Sequence, residues 1–192
     1  MVAVAGRVRL PANAATWITA SGPFTATDAL GMLRFVVVVS MVALSASAAG
    51  PITGRASVVD GDTIELAGQK VRFNGIDAPE NWQLCKDAGG RDYRCGQAAA
   101  NALDTFLSAS RPVMCEFVTR DRYRRFVGNC FRADGASVQS WLVRNGHALD
   151  WPRYSKGAYA ADQALAEKAK AGMWQGDFIP PWEARAVRRG GS

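Results

Sequence analysis

The sequence holds one histidine, His147, and no Cys-x-x-Cys. Zinc and copper sites favour imidazole and thiolate ligands. This scarcity turns attention to cations held by hard oxygen donors, such as calcium or magnesium. No apolar run reaches the roughly 20 residues that a membrane-crossing helix needs; the most apolar stretch, Phe35–Leu44, is far shorter. Internal repeats and a second apolar block able to make another core are missing too. Acidic residues are the minority charge, 17 against 23 Lys and Arg, which gives a net charge of +6. That balance leans towards acidic partners such as nucleic acid or an anionic membrane, and does not bear on fold. What remains is ordinary for a globular protein, and 192 residues suffice for one domain with a proper core.

The first 49 residues differ from the rest. Residues 1–31 are rich in Ala, Thr and Gly with almost no charge. From Met32 the chain reads MLRFVVVVSMVALSASAAG: Arg34, then the apolar run Phe35–Leu44, then small residues around Ala46–Ala49. That order is that of a secretory signal peptide with its cleavage site. It predicts residues 1–31 as a non-native or disordered extension upstream of a true initiator at Met32. Residues 32–49 are then the signal peptide, 50–176 one folded domain and 177–192 a flexible basic tail. The protein is expected to be exported, periplasmic or secreted; an uncleaved N-terminal anchor is the alternative. Cys85, Cys95, Cys115 and Cys130 all follow the leader. An even count behind an export signal reads as disulfides. Spacing favours Cys85–Cys95 closing a Gly-rich loop and Cys115–Cys130 bridging two neighbouring strands.

Alternation and turn residues predict strands over Ile52–Val59, Thr63–Leu66 and Lys70–Ile76, separated by Asp60-Gly61-Asp62 and Ala67-Gly68-Gln69. Asn81–Gly96 reads as a loop and Gln97–Ser108 as a helix with Ala98, Ala102, Leu103, Phe106 and Leu107 on one face. Strands follow at Val113–Thr119 and Phe126–Ala133, joined by the basic segment Arg120–Arg125. Val138–Arg144 is a short helix stopped by Asn145-Gly146. Ala148–Tyr159 reads as an aromatic loop and Ala160–Ala171 as a helix. The pattern suggests one α+β domain with a small closed sheet.

The chemistry concentrates between Val59 and Glu80, in VDGDTIELAGQKVRFNGIDAPE. Asp62 opens one strand, and Asp77 and Glu80 follow the end of another, so pairing would bring their carboxylates into one pocket. Arg72 lies on the same hairpin. Alone it would read as an exposed strand arginine in a weak ion pair. Arg120-Asp121-Arg122-Tyr123-Arg124-Arg125 changes that balance, because guanidinium forks match phosphate oxygens bidentately. Carboxylates for a metal, a carboxylate base and two arginines are parts enough for phosphodiester hydrolysis.

Val59-Asp60-Gly61-Asp62-Thr63, Arg72, Gly75-Ile76-Asp77-Ala78-Pro79-Glu80 and Asp121-Arg122-Tyr123-Arg124-Arg125 together resemble the staphylococcal nuclease (thermonuclease) family. The resemblance runs from about Ile52 to Trp174. It includes Trp141-Leu142-Val143-Arg144-Asn145-Gly146 and Lys170-Ala171-Gly172-Met173-Trp174. It implies a five-stranded OB-type β-barrel with three helices, a fold whose face commonly binds oligonucleotides. It also implies a calcium-dependent, sugar-nonspecific endonuclease, cleaving DNA and RNA to leave 3′-phosphate ends, and a monomer with single-stranded substrate preferred. Carried over, Asp62 and Asp77 are the calcium carboxylates and Glu80 the general base. Arg72 and Arg125 hold the phosphate, and Tyr123 lines the nucleotide pocket. The rival expectation is a non-catalytic nucleic-acid or protein-binding module on the same barrel.

Three positions depart from the family pattern. Ala78 replaces threonine where a backbone carbonyl serves the calcium shell. Arg124 replaces the glycine before the catalytic arginine, where it can shift the loop or add a phosphate contact. A disulfide-bearing loop over Asn81–Arg94 replaces a lysine-rich one. Trp151 and Tyr154 are further candidates for stacking on bases, with a place in the core or as a lid on the barrel as the equal alternative. Asp60 is expected to make the Asp-Gly turn, and His147, Glu65 and Asp121 to be structural or solvated.

Overall fold

A computed structural model describes residues 50–190. The extension, signal peptide and anchor expectations therefore lie outside the described residues. The elements are β1 (Ile52–Gly54), β2 (Ala56–Asp60), β3 (Thr63–Leu66), β4 (Gln69–Phe73), β5 (Ile76–Asp77), β6 (Leu84–Lys86) and β7 (Asp92–Arg94). Then come α1 (Cys95–Ser108), β8 (Val113–Arg120), β9 (Phe126–Phe131), α2 (Val138–Arg144), β10 (Leu149–Asp150), α3 (Pro152–Ser155) and α4 (Ala160–Ala169). A 3₁₀ turn (Gly172–Gln175) and α5 (Pro181–Gly190) end the described chain. The architecture is α+β, with a mixed sheet ordered β1-β8-β9-β4-β3-β2 and two short two-stranded pairs, β10-β5 and β6-β7.

Among the described residues, six strands in the main sheet and five α-helices differ from the expected five and three. The strand count rises because Arg55 interrupts the segment 52–60, whose first part pairs with β8 and whose second part pairs with β3. Ala148–Tyr159 is not all loop: β10 pairs with β5, opposing Leu149 to Asp77, and α3 follows. The expected loop at Asn81–Gly96 contains the β6–β7 hairpin.

Local chemistry accounts for the site-bearing part of the sheet. β3 and β4 close through Ala67 and Gly68, both at positive φ, so Leu66 faces Gln69 across a two-residue turn. That mirror-image turn matches the strands' right-handed twist. The register it imposes sets Thr63 opposite Arg72. β4 then runs parallel to β9, with Arg72 beside Val127.

The inward-facing residues Ile64, Leu66, Val71, Phe73, Val113 and Phe126 meet Leu103 and Leu107 of α1 and Leu142 of α2 in one apolar core. Leu103, Phe106 and Leu107 share a helix face by their spacing of three and four. Gln139, buried, donates to the Gly128 carbonyl and accepts from the Cys130 amide, fixing α2 to β9. A smaller cluster gathers Cys85, Cys95, Leu149 and Met173 with Tyr93, Trp174, Phe178 and Trp182. Both expected disulfides are present, Cys85–Cys95 and Cys115–Cys130. No helix among the described residues is long and apolar enough to cross a membrane.

Within 177–192, expected as a flexible basic tail, Pro181–Gly190 form α5. Pro181 starts the helix, where its fixed φ suits the first turn and its missing N–H goes unnoticed. Glu183 sits in the first turn and Arg188 and Arg189 in the last, so their charges complement the helix dipole.

Candidate active site

β3, β4 and β5 end at one place, and the acidic residues arrive there together. Asp62 is held by its backbone: its carbonyl accepts from the Phe73 amide at 2.9 Å and its amide donates to Asp60 Oδ1 at 3.0 Å. Asp60 thus makes the turn, as expected. Burial, and then the neighbouring Asp62 carboxylate, push the Asp60 carboxyl up to about 6. Asp62 Oδ2 accepts from the Ala78 amide at 3.1 Å, which joins the two halves of the motif. Gly61 packs under this contact; a Cβ there would lie 2.7 Å from the Ala78 methyl.

Arg72 bridges the two aspartates. Its Nη1 donates to Asp62 Oδ1, and its Nη2 donates to Asp77 Oδ1 at 2.7 Å. Burial pulls its guanidinium pKa down, but the charges of Asp62 and Asp77 outweigh this and the net shift is upward. Asp77 is wholly buried, and burial raises its pKa despite the hydrogen bonds it receives.

Glu80 lies one turn further on. Its amide donates to Gln83 Oε1 at 3.3 Å and its carbonyl accepts from the Gln83 amide at 2.8 Å. The start of α1 presses against the same carbonyl: a Cβ on Gly96 would stand 2.0 Å from the Glu80 oxygen. Only glycine permits that approach.

The basic turn is built differently. Asp121 Oδ1 accepts from the Tyr123 and Arg125 amides, and its Oδ2 accepts from Arg125 Nε at 2.6 Å. Burial alone would raise the Asp121 pKa; these bonds outweigh it and lower it. Arg124 sits at φ 63°, the left-handed conformation that suits the glycine it replaces. Arg125 and Arg122 also lie against the Tyr123 ring, which is 65% exposed. Gln69, Lys70, Arg120 and Tyr123–Phe126 line an open, basic depression there of about 230 Å³.

The structure therefore brings Asp62, Arg72, Asp77 and Glu80 into one cluster. It leaves Arg125, with Tyr123 and Arg124, engaged with Asp121 and one another. Trp151 joins the cluster's rim, because its amide donates to the Gly75 carbonyl at 2.9 Å. Its ring stacks on Trp182 and packs edge-on to Tyr154, which is half exposed.

Two participants escaped the sequence reading. Gln83 is buried and connects Glu80 to the C-terminal segment, donating to the Ile179 carbonyl at 2.6 Å. Arg185 of α5 reaches Asp77 through both terminal nitrogens and Glu80 Oε1 at 2.8 Å. Burial pulls its pKa down, yet the hydrogen bonds to Asp77 and Glu80 raise it on balance. The signal for α5 was present in Pro181, Glu183, Arg188 and Arg189, at positions that favour a helix's two ends.

Among the described residues, no three acidic, histidine or cysteine side chains stand in an arrangement ready to hold a metal ion. The donor chemistry nevertheless fits a hard cation. Asp62, Asp77 and Glu80 offer only oxygen, two of them are buried, and three carboxylates meet two guanidinium groups. The excess negative charge favours a further cation.

The staphylococcal nuclease homologue family matches residues 70–176, more than half of the chain. The succinoglycan biosynthesis protein ExoI of Rhizobium meliloti (strain 1021) is 56% identical over 145 residues, covering 76% of this chain and 74% of that one. An uncharacterized endonuclease of Escherichia coli O157:H7 is 33% identical over 131 residues, covering 65% and 78%. Endonuclease YhcR of Bacillus subtilis (strain 168) is 33% identical over 150 residues, 69% of this chain but only 12% of that longer protein. The length of the match, and the share of both chains covered by the Rhizobium relative, place this chain in the family of staphylococcal nuclease homologues.

Proposed function

We propose that the protein is a calcium-dependent, sugar-nonspecific endonuclease of DNA and RNA, with single strands preferred. The convergence of Asp62, Arg72, Asp77 and Glu80 carries this reading. Two relatives named as endonucleases support it. The same reading takes 52–60 as one strand bent at Arg55 and bordering both sheet edges, which makes the sheet a five-stranded OB-type barrel. Two disulfides suit an oxidising compartment and hence export to the periplasm or beyond.

In this mechanism Asp62 and Asp77 would hold calcium. Bound there, calcium would supply positive charge to a phosphate oxygen and lower the cost of charge building on phosphorus. Glu80 accepts a proton from water as the water oxygen attacks phosphorus. The bond from phosphorus to the 5′ oxygen breaks, a proton goes to that oxygen, and a 3′-phosphate remains. Arg72 and Arg125 donate hydrogen bonds to the non-bridging oxygens as their charge grows. Tyr123, Arg124 and Tyr154 present exposed rings and charge along the approach, and Trp151 supports Tyr154 from the rim.

Denatured DNA incubated with the purified protein tests this directly. Cleavage with calcium and none with a chelator is expected. A protein that binds the DNA but never cuts it is instead the non-catalytic binding module. The grip of Arg185 on Glu80 favours that second reading only if it cannot be released.

A further inference from the structure

The segment beyond residue 176 lies outside the family match, yet it delivers a side chain into the centre of the acid cluster. Both oxygens of Asp77 are engaged. Oδ1 accepts from Arg72 Nη2 at 2.7 Å and Arg185 Nη1 at 3.1 Å, and Oδ2 accepts from Arg185 Nη2 at 2.6 Å. Arg185 Nη1 also reaches Glu80 Oε1 at 2.8 Å. One guanidinium thus spans the carboxylate assigned to the metal and the one assigned to the attacking water.

A calcium ion contacts oxygen at about 2.3–2.6 Å and takes up the lone pairs facing it. Asp77 is buried and has no spare surface to offer. The ion and the Arg185 fork therefore compete for the same oxygens. Glu80 meets the same conflict, because the Oε1 that would receive the attacking water already holds an arginine N–H.

The segment leading into α5, and Trp182 in its first turn, are fastened independently of this contact. Lys86 N donates to the Asp177 carbonyl at 2.8 Å and Gln83 holds the Ile179 carbonyl. Phe178 packs edge-on to Trp174, and Trp182 stacks on Trp151 with ring centres 5.9 Å apart. Arg185 is itself 26% exposed. Its long side chain can swing to solvent while the helix stays docked.

We infer that Arg185 is a built-in counter-cation of the acid cluster which a divalent ion must displace, so that α5 raises the metal concentration at which the site becomes competent. This rests on the reading of Asp77 as a metal ligand and Glu80 as the base. Calcium binding to the full exported chain, measured by titration calorimetry without substrate, tests it. Arg185→Ala should bind calcium at least about tenfold more tightly than wild type, with Arg185→Lys in between. Arg189→Ala, which removes the same charge from an exposed position of the same helix, should bind as wild type does. Thermal melts establish that each variant is folded. Equal affinity in Arg185→Ala and wild type overturns the inference and leaves the metal reading standing. An equal gain in Arg189→Ala overturns it as well, in favour of a general charge effect. Absence of calcium binding in every variant overturns both.

Discussion

The acid cluster and the Arg120–Arg125 turn, the two poles of the proposed site, are held in opposite ways. Asp62 and Asp77 are buried, and Arg185 joins Asp77 and Glu80 across more than a hundred residues of chain. The basic turn is largely exposed, and Asp121 organises it through partners two and four residues away. The first pole is fixed by tertiary packing and arrives pre-organised. The second is a local loop whose arginines can change partners at little cost. In the proposed mechanism the acid pole sets where the reacting phosphate sits, and Arg125, held to Asp121 through its Nε, turns its fork to meet it.

The sharpest test removes one group from each pole. Glu80→Gln and Arg125→Ala should each lower turnover by at least about a hundredfold. Near-normal turnover in either variant removes that residue from the mechanism. If Arg125 alone proves dispensable, the basic turn is only a docking surface.

Stability separates the poles next. Replacing Cys115 and Cys130 by alanine unties the hairpin that carries the basic turn and should cost about 3 kcal/mol in urea unfolding, as expected for a loop of this size. A loss below about 1 kcal/mol would mean the hairpin holds itself. Gly96→Ala should cost about 1–3 kcal/mol by overpacking against Glu80, and should also slow turnover through displacement of that residue. Wild-type melting and turnover together would mean that the α1 contact is not what places Glu80.

Arg124→Gly relieves a left-handed non-glycine residue and should stabilise the protein by about 1 kcal/mol. A drop in melting temperature would show that the Arg124 side chain contributes more than its backbone costs.

The smallest effect lies away from both poles. Burial holds the His147 pKa below its ordinary value. The unfolded chain therefore binds the extra proton first, and stability should decline as pH falls below about 6.5, levelling off below the folded-state pKa. A pH profile in that window identical to that of His147→Gln would remove His147 as the cause.

How much was legible in the sequence follows the same division. Asp62, Arg72, Asp77 and Glu80 come from one short stretch, so pairing of the strands was expected to bring them together; the Ala67-Gly68 turn fixes the register that sets Asp62 beside Arg72. The disulfides follow from spacing because Cys115 and Cys130 are directly opposed on β8 and β9. Arg185 was not legible. Its partners lie more than a hundred residues away, and three arginines near a C-terminus resemble a solvated tail until Trp182 and Phe178 are seen packed into a core. The division of 52–60 into β1 and β2 was not legible because Arg55 bends one segment between two neighbours, a tertiary matter that alternation does not record.

The central claim is that the acid cluster binds calcium in the service of phosphodiester cleavage. Mass spectrometry of the fragments from a single-stranded oligonucleotide, with calcium and with a chelator, tests it most directly. The expected result is fragments bearing 3′-phosphate and 5′-hydroxyl ends, formed only with calcium. An intact oligonucleotide at every calcium concentration, or the same fragments in chelator, would contradict it.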